Sequence, residues 1–225
     1  TKVEDRQSSL DEAILSLPYV NGGLFSLNIK TPAFSSRIRK QLLKAMDLDW
    51  SKVSPAIFGS MFQGVMDEKQ RRNLGAHYTS EKNILRVIKP LFLDDLYKEF
   101  AEAASAGPRK KIVELRRFQD KLANLKFLDP ACGCGNFLVI TYRELRRLEH
   151  KVVAMLSVDR NTVEMLATGG EGVGTLKVNV DQMYGIEIEE FPSLIAQTAL
   201  WLTDHQMNME YSKQSGKTFK RLPLI

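Results

Sequence analysis

The chain has 225 residues, of which 44% are hydrophobic and 26% are charged, and its formal net charge is +5. These proportions are typical of a folded globular protein of one or two domains, and no apolar run is long enough to cross a bilayer, so we expect no membrane partner. The two cysteines, Cys132 and Cys134, cannot form a disulfide framework. We therefore expect a reducing compartment and no metal site.

Residues 1–74 are predicted to form a mostly helical connector domain. Apolar residues recur at helical spacing over residues 33–48. Ser54 and Pro55 are typical of a helix N-terminus, and they predict a second helix with a broad apolar stripe from Ile57 to Val65. We find no catalytic constellation in this part of the chain. Because the sequence begins at Thr1 without a methionine, we interpret it as a fragment of a longer polypeptide.

Residues 75–225 are predicted to form an α/β domain. A polar loop ends at Thr79 and Ser80, either of which can cap the next helix, and Pro90 should kink or end that helix. A buried strand over 126–130 and a second buried strand over 182–188 alternate with helices, the pattern of a parallel sheet. A glycine-rich stretch over 157–175 is predicted to be an exposed insertion.

The first predicted strand runs directly into an acidic residue and a Gly-x-Gly turn. Asp129 ends the strand, Gly133 and Gly135 form the turn, and Asn136 can cap the helix that follows. Glycine lets backbone amides approach a ligand closely, and a carboxylate at the end of the next strand can bind the two hydroxyls of a ribose. Glu187 occupies that position, so the pattern predicts a nucleoside-containing cofactor.

Three segments resemble motifs X, I and II of γ-class N6-adenine DNA methyltransferases. These are Gly75-Ala76-His77-Tyr78-Thr79-Ser80, then Phe127-Leu128-Asp129-Pro130-Ala131-Cys132-Gly133-Cys134-Gly135-Asn136-Phe137, and Tyr184-Gly185-Ile186-Glu187-Ile188. Residues 18–25 and 57–62 resemble the connector of MmeI-like type IIG/IIL restriction-modification enzymes. The resemblance implies a Rossmann-like domain that binds S-adenosylmethionine, within a bacterial or archaeal cytoplasmic enzyme that methylates double-stranded DNA.

The same resemblance implies roles for individual residues. Tyr78 and Thr79 would contact the methionine end of the cofactor, Glu187 would hold the ribose hydroxyls, and Ile188 would pack on adenine. The other cofactor-binding candidates are His77, Asp129, Pro130, Ala131, Cys132, Gly133, Gly135, Asn136 and Phe137. One departure is Ser80, where the family often has proline. Thr79 is equally suited to cap a helix and Glu187 to end a strand, so structural roles stay open.

The γ-class catalytic motif Asn/Asp-Pro-Pro-Tyr/Phe does not occur, since the sequence contains no Pro-Pro pair. We therefore expect this chain alone to lack methyl transfer, and we assign no catalytic residue. Glu149-His150-Lys151 fits a short nuclease pattern but lies among arginines of a predicted helix, so we interpret it as a solvated face. Basic stretches at 109–126, 143–151 and 213–221 are either phosphate contacts or solvated helix surface.

Three alternative functions remain open. The chain could belong to a methyltransferase that acts on RNA or protein, because the segment that selects the target is absent. It could be a non-catalytic module that senses the cofactor or binds DNA. It could also be a nicotinamide oxidoreductase, although the Asp-Pro-Ala-Cys loop argues against that class.

Overall fold

The structure is a computed structural model that describes residues 33–48, 53–65, 79–158 and 176–215. The chain divides into two compact units, Val53–Phe219, and Thr1–Lys52 together with Lys220–Ile225. The predicted domain boundary at residue 75 falls outside the described residues and stays a prediction. Of the predicted insertion over residues 157–175, residues 157 and 158 belong to the helix Asn136–Val158, and the remainder lies outside the described residues. Within the described ranges, no helix has both the length and the apolar character needed to cross a membrane.

The first unit contributes one described helix, α1 (Ser36–Met46), which confirms the helical prediction for this segment. It begins where the Ser35 hydroxyl accepts a hydrogen bond from the amide of Ile38 at 3.3 Å, an N-cap bond of the usual kind. The predicted apolar face is present, but every member of it is at least 45% exposed; these are Ile38, Leu42, Leu43 and Met46.

The second unit is mostly helical with a small parallel sheet. Its elements are α2 (Ile57–Val65), α3 (Glu81–Ile88), α4 (Asp94–Ser105), α5 (Pro108–Asn124), β1 (Phe127–Asp129), α6 (Asn136–Val158), β2 (Met183–Gly185) and α7 (Glu190–Ser215). The long α6 and α7 pack against each other, and α5 packs against α6. The order β1–α6–β2, with the two strands adjacent and parallel, agrees with the predicted alternation of strand and helix.

The two strands pair in parallel, with Phe127 opposite Met183 and Leu128 opposite Tyr184. Phe127 and Met183 pack on the helical core, and the ring of Phe127 lies 4.9 Å from that of Phe92. Leu128 and Tyr184 point to the other face and are 63% and 46% exposed. The prediction of buried strands is therefore wrong for this face, because the described helices cover only one side of the sheet.

Pro90 ends the α-helix that precedes it, as predicted. The α-helical hydrogen bonding of α3 stops at Ile88, and a π-helical turn over Lys89–Leu93 leads into α4. A π turn shifts the phase of the helix, so Leu93 is buried while Leu91, which the regular periodicity predicts to face the core, is 70% exposed.

The core side of α7 also differs from its prediction. Its buried residues are spaced three or four apart along one face and are Ala196, Ala199, Thr203, Met207 and Tyr211. Helical periodicity over residues 191–209 predicts that Leu194, Ile195, Ala199 and Leu202 face the core, but Leu202 is 38% exposed. Ala199 was predicted correctly, and the small side chains of this face allow α7 to approach α6 closely.

A buried carboxylate on α6 holds the segment that leads into β2. Glu149 is fully buried, and its Oε1 accepts hydrogen bonds from the backbone amides of Lys177 and Val178 and from the side chain of Gln119. Its other oxygen lies 3.9 Å from Nε of Arg146. The bonds to two successive amides fix the course of the chain just before the strand.

Arg146 carries the matching charge. Its guanidinium donates to Asp204 at 2.9 Å, to Asn208 at 2.6 Å and to the carbonyl of Val178 at 3.2 Å. Because both ions are hydrogen-bonded and paired, the cost of removing them from water is offset. The network joins α6, α7 and the segment before β2.

The interpretation of Glu149-His150-Lys151 as a solvated face is wrong for Glu149 and His150, which are 0% and 5% exposed. Two cations of the stretch 143–151 are engaged in internal ion pairs: the side chains of Arg143 and Arg146 are 11% and 4% exposed and pair with Glu81 and Asp204. The presence of a charge does not indicate here whether a side chain is exposed or buried. Position 149 lies on the apolar stripe of α6 that includes Leu145, and that periodicity is the signal that could have revealed its burial.

We expect Glu149→Ala to lower the free energy of unfolding by about 3–5 kcal/mol, because it leaves two backbone amides without their acceptor and removes the buried negative charge that lies 3.9 Å from Arg146. Glu99, whose ion pair with Lys121 is exposed, offers a matched control. Glu99→Ala should change stability by less than about 1 kcal/mol. Denaturant unfolding of both variants measures the difference, and equal losses would contradict the role given to Glu149.

His150 is buried beside the same network. Its ring lies 5.2 Å from the ring of Tyr211, and neither of its nitrogens has a hydrogen-bond partner. Burial, with a smaller contribution from Arg146 and Arg147, lowers the pKa of His150 to about 4. The folded protein therefore keeps this imidazole neutral where the unfolded chain would protonate it.

Stability should consequently fall on acidification. The pKa of His150 is lower in the folded state than in the unfolded state. The stability that comes from keeping this imidazole neutral is therefore fully present above pH 6.5, and the free energy of unfolding falls by roughly 2–3 kcal/mol towards pH 4. His150→Phe should flatten the dependence of unfolding free energy on pH in this interval. His205→Gln, at a half-buried histidine of α7, should retain the slope; an unchanged slope in His150→Phe would refute the assignment.

Candidate functional site

The turn after β1 is built on two glycines in a left-handed conformation. Gly133 has a φ of +53° and Gly135 a φ of +76°, and no other described residue has a positive φ. Side chains with a Cβ rarely adopt these angles, so the turn requires glycine at both positions. A Cβ on Gly135 would also lie 2.7 Å from the Cβ of Ala196, because α7 packs directly on the turn.

Backbone hydrogen bonds tie this turn to the chain that follows β2. The amide of Ile186 donates to the carbonyl of Asp129 at 2.9 Å, and the amide of Cys132 donates to the carbonyl of Ile186 at 3.0 Å. The Asp129 side chain accepts a hydrogen bond from the amide of Ala131 at 3.1 Å. The carboxyl ends of the two parallel strands are thereby brought to one edge of the sheet, as expected for neighbouring strands.

The Glu187 carboxylate lies against the glycine turn. Its Oε1 accepts a hydrogen bond from the amide of Glu189 at 2.9 Å, and its Oε2 lies 4.0 Å from the position that a Cβ on Gly133 would occupy. Among the described residues, and apart from Gly133 itself and its two chain neighbours, no other atom comes within 4 Å of that position. The turn therefore faces open space bordered by a carboxylate, a cradle that suits the hydroxyls of a nucleoside. Ile188, next to it, is 91% exposed.

The other loop candidates lie on the same short segment. Pro130 and Ala131 are exposed, Cys132 and Phe137 are half-buried, and Gly135 is buried. Their contact with a cofactor stays a prediction.

Asn136 does not make the predicted capping bond. It is the first residue of α6 rather than the residue before it, and its buried Oδ1 has no hydrogen-bond partner.

The structure describes only part of the first motif. His77 and Tyr78 lie outside the described residues. Thr79 is half-buried and precedes Ser80, which holds the N-cap position of α3 but makes no side-chain cap bond. Thr79 is thus not the cap residue, and its assignment to the cofactor stays a prediction.

An ion pair that the sequence did not reveal positions α3 against α6. Arg143 donates to the Glu81 carboxylate at 2.6 Å, and this hydrogen bond holds the pKa of Glu81 below its ordinary value. Because Glu81 begins α3 directly after Ser80, the pair fixes the end of the first motif relative to the helix that follows the glycine turn.

The two cysteines are free thiols. Burial, and then the negative charges of Asp129 and Glu187, raise the pKa of Cys132. Burial, Glu187 and Cys132 raise the pKa of Cys134 to about 11. A thiol with a raised pKa is mostly protonated near neutral pH, which makes it a poor nucleophile. The Sγ of Cys132 packs under the second strand, where a Cβ on Gly185 would lie only 2.6 Å from it.

Comparison with known proteins agrees with this geometry. Residues 102–225 match the family model of the MmeI DNA-methyltransferase domain. The chain belongs to this family. The resemblance noted in the sequence is thereby confirmed.

Similar proteins include DNA methyltransferase A of Bacillus subtilis, which is 40% identical over 94% of this chain and 22% of its own length. A putative type II restriction enzyme and methyltransferase of Methanocaldococcus jannaschii is 25% identical over 83% of this chain and 18% of its own length. A solved structure of the type IIL restriction-modification enzyme MmeI in complex with DNA matches the whole chain with 51% identity and a TM-score of 0.83, and 28% of the MmeI chain is covered. The chain therefore spans about a fifth of the curated relatives that it matches.

Proposed function

We propose that this chain supplies the S-adenosylmethionine-binding part of a site-specific DNA adenine-N6 methyltransferase, within a restriction-modification enzyme. The observation that carries the proposal is the arrangement of Glu187 and Gly133 at the ends of two adjacent parallel strands. Family membership supports the same cofactor, because methyltransferases commonly use S-adenosylmethionine.

The proposal extends to the fold. We propose that β1 and β2 are two strands of a larger Rossmann-like sheet, because both are short and paired in parallel, and one face of the pair is left apolar and exposed. Parallel sheets are generally covered on both faces. The two-stranded sheet with its helices would form the cofactor-binding half of that domain.

The residues present fit the cofactor in chemical terms. Glu187 would accept hydrogen bonds from the ribose hydroxyls, and the exposed Ile188 would pack against the adenine ring. Asp129 would face the methionine ammonium, directly or through water, while Thr79 and the undescribed Tyr78 and His77 would border the methionine end. The loop residues around the two glycines would line the rest of the site. When bound, the cofactor supplies a methyl group activated by its sulfonium.

The chain's own contribution would be to bind and orient. The glycine turn lets backbone amides approach the ligand, and the carboxylates at both strand ends set its direction. No residue of the chain is proposed to act on the target base, because the Asn/Asp-Pro-Pro-Tyr/Phe motif is absent from the sequence. Catalysis in such enzymes rests on positioning an extruded base against the methyl donor rather than on a covalent intermediate.

We propose double-stranded DNA as the macromolecular partner of the whole protein, in a bacterial or archaeal cytoplasm. The proposal rests on the family and on the MmeI structure, which is a complex with DNA.

Thermal unfolding of the full-length protein with and without S-adenosylmethionine tests the proposal. At a ligand concentration about 100-fold above the dissociation constant, a true site adds roughly 2.7 kcal/mol of stability. Asp129→Ala and Glu187→Ala should abolish most of this gain, because each removes a carboxylate proposed to contact the ligand. Glu190→Ala, which removes an equal but exposed charge at the start of α7, should retain it. A gain that is equal in all variants, or none in the wild type, would contradict the proposal.

A further inference from the structure

The helix α2 is anchored to the same body as the glycine turn, although the sequence assigns it to the connector. Both belong to the compact unit Val53–Phe219. Just before α2, the carbonyl of Val53 accepts a hydrogen bond from the side chain of Gln206 on α7 at 2.8 Å. Ala56 is 2% exposed and belongs to a core cluster with Val139 of α6. The start of α2 is therefore fixed against both helices that flank the candidate site.

One turn further along, α2 meets the glycine turn itself. Gly59 is buried, and a Cβ placed on it would lie 2.8 Å from Nδ2 and 3.1 Å from Oδ1 of Asn136. The same Cβ would lie 3.3 Å from the Cβ of Cys134. The backbone of α2 thus touches the last residues of the turn, at a distance that only glycine permits.

Three residues after Gly59, on the same side of the helix, α2 meets the other half of the site. The rings of Phe62 and Phe191 are 5.2 Å apart and tilted by 49°, a favourable aromatic arrangement. Phe191 is the second residue of α7, four residues after Glu187. A single helix therefore contacts the glycine turn at one point and the segment that follows the acidic strand end at another.

From these contacts we infer that α2 is a supporting wall of the cofactor site, and that Gly59 and Phe62 are positioning residues for S-adenosylmethionine binding. The inference rests on the proposed function. It adds residues outside the three cofactor motifs, in a segment that carries no ligand-binding signature of its own.

The physical reason lies in how Asn136 is held. Its Oδ1 has no hydrogen-bond partner, so hydrogen bonding at this atom does not fix the amide, and the close approach of Gly59 sets its position. A Cβ at residue 59 must displace the Asn136 amide, and at 3.3 Å from the Cβ of Cys134 it would also press on the glycine turn itself. A small displacement of groups that surround a ligand is sufficient to weaken binding substantially.

The two glycines of α2 provide a matched pair of substitutions. Gly59→Ala would place a methyl group against Asn136, whereas a Cβ on Gly64 would meet nothing within 4 Å. Alanine is a better helix former than glycine, so neither substitution should weaken the helix itself. In the full-length protein, we expect Gly59→Ala to raise the dissociation constant for S-adenosylmethionine about tenfold. Gly64→Ala should leave it unchanged, and isothermal titration calorimetry measures both.

A double substitution tests the route of the effect. In an Asn136→Ala background the amide that the new methyl group would strike is gone, so adding Gly59→Ala should weaken binding much less than it does in the wild type. A loss of binding that does not pass through Asn136 would add independently in the two backgrounds.

Phe62→Ala tests the same wall without introducing a clash, and Met61→Ala, at a more exposed residue, is its control. Phe62→Ala should also weaken binding. Phe62→Leu should restore part of the lost affinity.

The outcomes separate the two proposals. If the wild type binds and both Gly59→Ala and Phe62→Ala bind equally well, the role of α2 is refuted and the proposed function stands. If the wild type does not bind S-adenosylmethionine, both proposals are refuted. If Gly59→Ala does not fold, as shown by loss of its cooperative thermal transition, the Phe62 and Met61 variants decide the question by the same titration.

Discussion

The position of the second strand depends on one buried carboxylate. Glu149 accepts hydrogen bonds from the backbone amides of Lys177 and Val178, in the segment that leads into this strand. The side chain of Gln182 then donates to the carbonyls of Leu122 and Leu125 at the end of α5, which fixes the strand from the other side. Glu187 reaches the glycine turn because these polar contacts set where β2 begins.

The candidate site and the helices beneath it are held in place by different interactions. Beneath the site, charged and polar groups with little or no exposure are paired in a network that joins α6, α7 and the segment before β2. At the site itself, backbone hydrogen bonds between Asp129, Cys132 and Ile186 leave side chains free to face solvent. Apolar burial holds the helices together, but the relative placement of the two strand ends is decided by hydrogen bonds, whose geometry is specific.

The sequence allowed the glycine turn, the long helices and the effect of Pro90 to be predicted, because each depends on local chemistry. The burial of Glu149 was missed although the periodicity of α6 indicates it, because the Gln119 side chain and the Lys177 and Val178 amides that hydrogen-bond its carboxylate lie far away in the sequence. The phase error at Leu91 arose because periodicity assumes regular helix geometry. The contact of Gly59 with the turn depends on the packing of two distant segments, and a glycine in an apolar helix gives no sign of what it touches.

The raised thiol pKa values have a consequence for the methylating agent that we propose to bind here. A sulfonium methyl group reacts with any good nucleophile, and a thiolate is among the best nucleophiles in a protein. With its pKa raised to about 11, Cys134 is ionised at neutral pH in only about one molecule in ten thousand. Burial and the neighbouring carboxylates would thus allow the loop to carry two sulfur atoms while protecting it against methylation by the proposed cofactor.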